Sequence, residues 1–254
     1  PGRTLGALEF IQVFRSYGRD IRNLIAETQT IIYTCRKTDE DTVNIFAIKS
    51  GVPIATIHTS NNQDFLLRLP QCMQQYFTPA RSMIETSIGN VGMILHCAPL
   101  LLNTGWTENK ESTYRHYYDG ITVSVSNFIE KLDVERILVS EYLGMRIEST
   151  KEWLKRIYKV QGDSIYECIQ ENDAYRNIEA PNSLLHRYIL EDIPCGLVPL
   201  ESIGKGLGLP MKYTGLIIDL AIGLLDIDFR TVGRQIATKS DQQEIIELFR
   251  GRTI

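Results

Sequence analysis

The stretch Ser87–Asn103, SIGNVGMILHCAPLLLN, decides how this chain divides. One ionisable ring, His96, stands in a run that is otherwise almost wholly apolar or small. Upstream of it, β-rich and helical runs alternate. Downstream, apolar residues recur at three- and four-residue steps, the spacing of one helix face. The shift falls near residue 82. It predicts an α/β portion over residues 1–82 and an all-α domain over residues 83–254.

In the first portion, GALEFIQVFRSYG has the apolar spacing of a short helix stopped at Gly18. RNLIAETQTIIYTCR reads as strand, break, strand. TVNIFAIKSGVPIATIHT holds two β-rich runs around Lys49-Ser50-Gly51, joined as a hairpin or by a tight connection. NNQDFLLRLPQCMQQYF is a helix pattern that Pro70 should kink or break, because proline lacks the amide proton and clashes with the preceding turn.

In the second portion, ITVSVSNFIEKLDVERILVSEYLG predicts a long helix ended by Gly144. Ser149 and Glu152 form one capping box, Ser240 and Gln243 another. TGLIIDLAIGLL is apolar on nearly every side, which predicts a central buried helix. GKGLGLP, residues 204–210, lies between helical stretches rather than after a strand, so it reads as a turn.

The totals bound the function. A chain of 254 residues can bury roughly three quarters of its surface, so no metal or disulfide staple is required. A net charge of −4 and a pI of about 5.7 do not advertise nucleic acid as a partner. The longest apolar stretch, GLIIDLAIGLL, is too short to span a bilayer and contains Asp219, and no signal-peptide pattern is present. Cys35, Cys72, Cys97, Cys168 and Cys195 form no CxxC pair, which predicts free thiols in a reducing cytoplasm.

Four histidines are candidates for chemistry: His58, His96, His116 and His186. None has HExxH or other metal-ligand spacing, which predicts no metal. His58 and His116 lie among polar residues and should be exposed. A lone histidine in an apolar run, such as His96, is more often a hydrogen-bonded core residue than a catalyst. Arg187 and Glu191, four apart, could be an ordinary pair on a helix surface. Asp192 lies on a different face, just before Pro194. An aspartate at such a helix end can point inward and hold a histidine's ring nitrogen.

Taken in order along the chain, PGRTLGALEF, AETQTIIYTCR, ETSIGNVGMILHCAPLLLN, YRHYYDGITVSVSNFIEKLDVERI, YRNIEAPNSLLHRYILEDIPCGLVPLESIG and GLIIDLAIGLLDIDFRTVGR resemble the opine dehydrogenases, relatives of octopine dehydrogenase. The resemblance implies the C-terminal part of a Rossmann-type dinucleotide-binding domain followed by an α-helical opine dehydrogenase domain. It also implies a reaction. An amino acid's amine condenses with a 2-oxo acid such as pyruvate, and NADH or NADPH reduces the imine to a secondary amine dicarboxylate. By the family's pattern, His96 of the HxAP segment is the acid/base group. Asp192 of the EDxP segment orients it, and Arg187 grips a substrate carboxylate. Thr30, Cys35 and Asn90 match positions near the substrates. For Cys35, a small buried hydrophobe is the equally open reading. The expected partners are the two substrates, with no nucleic acid and no membrane; a homodimer stays open.

No G-x-G-x-x-G occurs in the sequence. The resemblance therefore predicts that the NAD or NADP phosphate loop belongs to a segment upstream of PGRT, and that Pro1 and Gly2 abut the cofactor. Two other readings remain. Reductases that take a single carbonyl substrate share the same two-part scaffold, but several use a lysine that the corresponding apolar segment lacks. A binding module is favoured by the missing phosphate loop and opposed by His96, Arg187 and Asp192.

Overall fold

The computed structural model describes residues 2–19, 25–234 and Phe249. The α/β portion opens with α1 (Gly6–Ser16), followed by β1 (Ala26–Thr28), β2 (Tyr33–Lys37), β3 (Val43–Ile48) and β4 (Val52–Thr56). Then come α2 (Asn62–Arg68), α3 (Gln71–Gln74) and β5 (Phe77–Pro79). As expected, Pro70 breaks the helical pattern: it ends one helix and caps the next. Gly18, at φ +64°, follows α1.

β4 is the centre of a three-stranded sheet, antiparallel to β1 and parallel to β5. β2 and β3 form a separate antiparallel hairpin with a bulge between Thr34 and Cys35. Of the two connections the sequence allowed around Gly51, the tight turn is observed: β3 and β4 belong to different sheets, and Gly51 turns the chain at φ +64°.

From Ser82 the chain is helical. Its elements are α4 (Met83–Ser87), α5 (Gly92–Leu95), α6 (Cys97–Leu102), α7 (Thr104–Thr107), α8 (Val123–Tyr142), α9 (Thr150–Tyr158), α10 (Ile165–Glu171), α11 (Arg187–Leu190), a π-helical turn over Ile193–Leu197, α12 (Val198–Gly206), α13 (Lys212–Leu225) and α14 (Phe229–Val232). α8 ends where Gly144 takes φ +104°. The Ser149–Glu152 capping box forms, and a second one, Ser164–Glu167, was not anticipated. The expected Ser240–Gln243 box lies outside the described residues. GKGLGLP is the end of α12 and the turn beyond it.

One apolar cluster runs from Leu5 and Ala55 in the α/β portion through Met93 and Ile129 to Ile218 and Phe229. A polar knot crosses it. Arg136 of α8 is fully buried and donates to Asp133, to the carbonyl of Ile88 and to the carbonyl of Glu148. Asp133 in turn accepts from the Thr150 amide at 2.7 Å and the Thr150 hydroxyl at 2.8 Å, fixing the start of α9.

α13 departs from expectation. Ile217, Ile218 and Ala221 are buried, but Leu216, Leu220 and Leu224 are exposed. Its other faces meet α6, α8, α12 and α14, and nothing among the described residues covers this row. Apolarity around the whole helix therefore misjudged its burial. Asp219, on this helix, pairs with Arg230 near the surface.

Candidate functional site

His96 sits at the joint between α5 and α6, with φ −105° and ψ −56°. The joint is held from below. Met93, Ile94, Leu95, Leu100 and Leu101 are buried, while Leu102 is exposed. The imidazole is lifted out of this apolar base and lines a cavity of about 420 Å³ between the β2–β3 hairpin and the helical portion. Gly92 is needed beneath it. A Cβ there would lie 3.0 Å from Asn90 Oδ1 and 3.4 Å from His96 Cε1.

Asp192, from the turn after α11, is 2 % exposed and places Oδ2 2.8 Å from His96 Nδ1. The two residues are 96 positions apart, so only the tertiary fold makes the pair. Opposite a carboxylate, Nδ1 carries the proton. Nε2 then has no partner among the described residues, on a ring that borders the cavity. The ring plane is fixed by Tyr188, stacked at 4.0 Å between centroids and 9° between planes. Burial pushes the Asp192 carboxyl up, but the His96 ring and the Arg3 guanidinium outweigh it and hold the group below the usual aspartate value.

Arg3 was missed by the sequence reading. Its Nε donates to Asp192 Oδ1 at 2.6 Å, and its far nitrogen meets Glu191 at 2.7 Å. Its backbone is left-handed, at φ +53°. Nothing in the local sequence marks it, because its partners lie 189 positions away.

The other expected residues divide. Arg187 lines the cavity, is mostly exposed, and has Nε 3.8 Å from Glu191, so both the surface-pair and the cleft readings have geometry behind them. Thr30 and Cys35 line the cavity from the α/β side. Cys35 is exposed, which corrects the buried-hydrophobe alternative: neighbouring residues of β2 point to opposite faces, and Thr34 takes the buried one. Asn90 also lines the cavity, but its Oδ1 is used by the Gly92 amide at 2.8 Å. Gly2 lies against Gly6 and gives its carbonyl to Arg234. Pro1 is outside the described residues.

His116 is a correction. It is fully buried rather than exposed, with Nε2 donating to the carbonyl of Leu95 at 3.1 Å and Nδ1 unpartnered. Burial, with His96 nearby, lowers it to about 3, so it is a neutral wedge behind the site. Among its sequence neighbours Arg115 is exposed, but Tyr114, Tyr117 and Tyr118 are buried with the ring. His58 is exposed as expected. His186 caps α11 by accepting from the Tyr188 amide, and burial followed by Arg36 and Arg187 lowers it to about 4.

The cavity also holds Lys49, whose Nζ donates to the carbonyls of Ile31 and Tyr33; burial lowers it to about 8. Arg36 and Lys37 stand on the same rim. Trp153 is buried and also borders the cavity, which Tyr117 and Tyr175, stacked at 4.1 Å, line as well. Thr122, in the matching segment YYDGIT, caps α8. Such a site can bind carboxylates and move a proton at Nε2. The glycine fingerprint of a phosphate loop is absent from the sequence. Among the described residues no group of three or more His, Cys, Asp or Glu could hold a metal, and no helix is long and apolar enough to cross a membrane.

Residues 79–225 match the family described as NAD/NADP octopine/nopaline dehydrogenase, alpha-helical domain. An opine dehydrogenase of Arthrobacter sp. (strain 1C) is 35% identical over 236 residues, 93% of this chain and 65% of that protein. Protein ocs of Agrobacterium tumefaciens (strain Ach5) is 22% identical over 84% of this chain and 59% of its own length. The chain thus spans about two thirds or less of the curated relatives it matches. Among solved structures, octopine dehydrogenase with NADH and L-arginine superposes with a TM-score of 0.67 at 16% identity, over 91% of this chain and 66% of that one. Yersinopine dehydrogenase with NADP+ bound gives 0.72 at 14% identity, over 98% and 71%. These likenesses carry the fold: the C-terminal part of a Rossmann-type domain followed by a helical domain.

Proposed function

The chain belongs to the opine dehydrogenase family, and on that premise we propose that the complete protein is an NAD(P)H-dependent opine dehydrogenase. It joins the amine of an amino acid to the carbonyl of a 2-oxo acid and reduces the imine, an oxidoreductase acting on a CH–NH group. The observation that carries this reading is the 2.8 Å contact between His96 Nδ1 and Asp192 Oδ2 on the wall of a cation-rimmed cavity.

Asp192 fixes the tautomer and orientation of the ring, as a carboxylate does for a catalytic imidazole. Neutral His96 accepts at Nε2 a proton from the incoming ammonium, freeing the amine's lone pair to attack the carbonyl carbon. As the bond forms, a second amine proton passes to the carbonyl oxygen to give the carbinolamine; protonated His96 then gives its proton to that hydroxyl, which leaves as water, and the iminium keeps the last N–H and the positive charge. Arg187 holds a substrate carboxylate, a task that suits a planar guanidinium. Thr30, Cys35 and Asn90 shape the substrate side. Bound NADH or NADPH would supply the hydride; the residues here fit the substrate end of such a site, and Pro1 and Gly2 would abut the cofactor. The five free cysteines accord with a reducing cytoplasm.

A second reading, a reductase of one carbonyl substrate, draws on Lys49 in the cavity. Cofactor oxidation by the complete protein separates the two. A requirement for both a 2-oxo acid and an amino acid supports the opine reaction, whereas oxidation with the 2-oxo acid alone supports the second reading.

A further inference from the structure

Arg3 stands outside the histidine–aspartate pair, yet it holds two neighbouring carboxylates at once. Its Nε donates to Asp192 Oδ1 at 2.6 Å, and its Nη2 meets Glu191 Oε2 at 2.7 Å. Glu191 Oε2 is also 3.8 Å from Nε of Arg187. One line of charges therefore runs from His96 through Asp192, Arg3 and Glu191 to Arg187, with Arg3 at its middle.

The loop that carries Arg3 is held in place at some cost. Arg3 and Leu5 both take left-handed backbone, at φ +53° and +65°, a conformation that is unfavourable for a residue with a Cβ. Contacts from distant segments keep it there. The Thr4 amide donates to the carbonyl of Cys195 at 3.1 Å, and the Leu5 amide to Ser87 Oγ at 2.6 Å. Arg234 donates to the carbonyls of Gly2 and Thr4. An ordinary surface ion pair needs none of this. Asp192 is buried, and each of its oxygens has one charged partner, Arg3 on Oδ1 and His96 on Oδ2. Without Arg3 only the His96 contact would fix the rotation of that carboxylate.

Resting on the roles of His96 and Arg187 above, we propose that Arg3 is a positioning residue with two tasks: its bond to Asp192 holds Oδ2 against His96 Nδ1, and its bond to Glu191 keeps that carboxylate from capturing Arg187. The first task acts on turnover. The second acts on substrate affinity, because it leaves Arg187 for a substrate carboxylate. A planar guanidinium suits both, since its donors meet two carboxylates from fixed directions where an ammonium offers a single point of charge.

The test compares kcat and KM of the complete protein and its variants, with a 2-oxo acid and amino acid that the parent turns over and saturating NADH or NADPH. Arg3→Met should lower kcat ~10–100-fold, the scale of a misplaced reacting group. It should also raise KM for one substrate about threefold, the worth of a half-exposed ion pair between Glu191 and Arg187. Adding Glu191→Gln should return that KM to the parent's value and leave kcat low. A general loosening of the fold would move both constants together, and Glu191→Gln would repair neither. Full kcat in Arg3→Met, or a raised KM that the second substitution leaves raised, overturns the proposal; a raised KM with full kcat makes Arg3 a direct ligand of the substrate instead. Where Arg3→Met falls short of the parent's unfolding midpoint, Arg3→Lys carries the test. It keeps the cation without the fork and should lose about tenfold in kcat, and full kcat there overturns the proposal equally. The opine reading fails separately, on oxidation by the parent that needs no amine, and the split between kcat and KM is then read on that reaction.

Discussion

Asp133 and Asp192 are both buried carboxylates held by an arginine, and the contrast between them separates architecture from chemistry. Asp133 meets Arg136, the Thr150 amide and the Thr150 hydroxyl. Arg136 spends its remaining donors on two backbone carbonyls. That network closes on itself. Asp192 meets Arg3 and His96, and the chain of contacts ends in an imidazole whose second nitrogen has no partner among the described residues. A closed network rigidifies a core; an open one leaves a proton site facing the place where a reactant can sit.

The largest expected effect comes from breaking the closed network. Arg136→Met strands Asp133 without its counter-charge, which should cost ~3–5 kcal/mol of folding stability. Urea unfolding measures it, and a loss below about 1 kcal/mol would contradict a structural role.

Breaking the open network should do the reverse. His96→Gln should lower turnover of the complete protein by ~10²–10⁴ with little change in the unfolding midpoint. Parallel losses of activity and stability would instead place His96 with Asp133, as a core residue.

Glu27 sharpens the comparison, being a buried carboxylate to which no arginine among the described residues donates a hydrogen bond. Among the described residues it accepts from the Thr86 hydroxyl and the Ala7 amide, and burial pushes it up to about 7. Its folded pKa lies above the unfolded value. The folded state therefore binds the extra proton between about pH 4.5 and 7, and stability falls as pH rises through that window. Glu27→Gln keeps acceptor and donor in place and should remove this fall, worth roughly 3 kcal/mol at about 1.4 kcal/mol for each unit of pKa. Unfolding midpoints at pH 5 and pH 8 test it; an undiminished pH slope in the variant would show that Glu27 is not the group responsible.

The smallest effect tests orientation. Tyr188→Leu removes the ring stacked on His96 and should lower kcat about tenfold, while Tyr188→Phe keeps the stack and most of the rate. Equal losses in both variants would assign the effect to the hydroxyl instead.

Much of this was legible in the sequence where local rules operate. The Ser149–Glu152 box, the break at Pro70 and the stop at Gly144 depend on neighbours within a turn or two, and the structure has all three. His96 and Asp192 were candidates because the HxAP and EDxP segments resemble a family, and their contact rests on 96 intervening residues folding first. Burial was harder to read. His116 has polar neighbours and is fully buried, and the all-apolar helix α13 has an exposed row. In both cases the deciding contacts come from distant segments.

By itself, then, the sequence determined element type, helix boundaries and the family, because hydrophobic period, caps and motif residues are local properties of the chain. Only the tertiary structure decided that Arg3 reaches Asp192, that Tyr188 stacks on His96, and that Arg36 and Lys49 share their cavity. Those pairings depend on where the packed core places each backbone. No spacing along the chain encodes that placement.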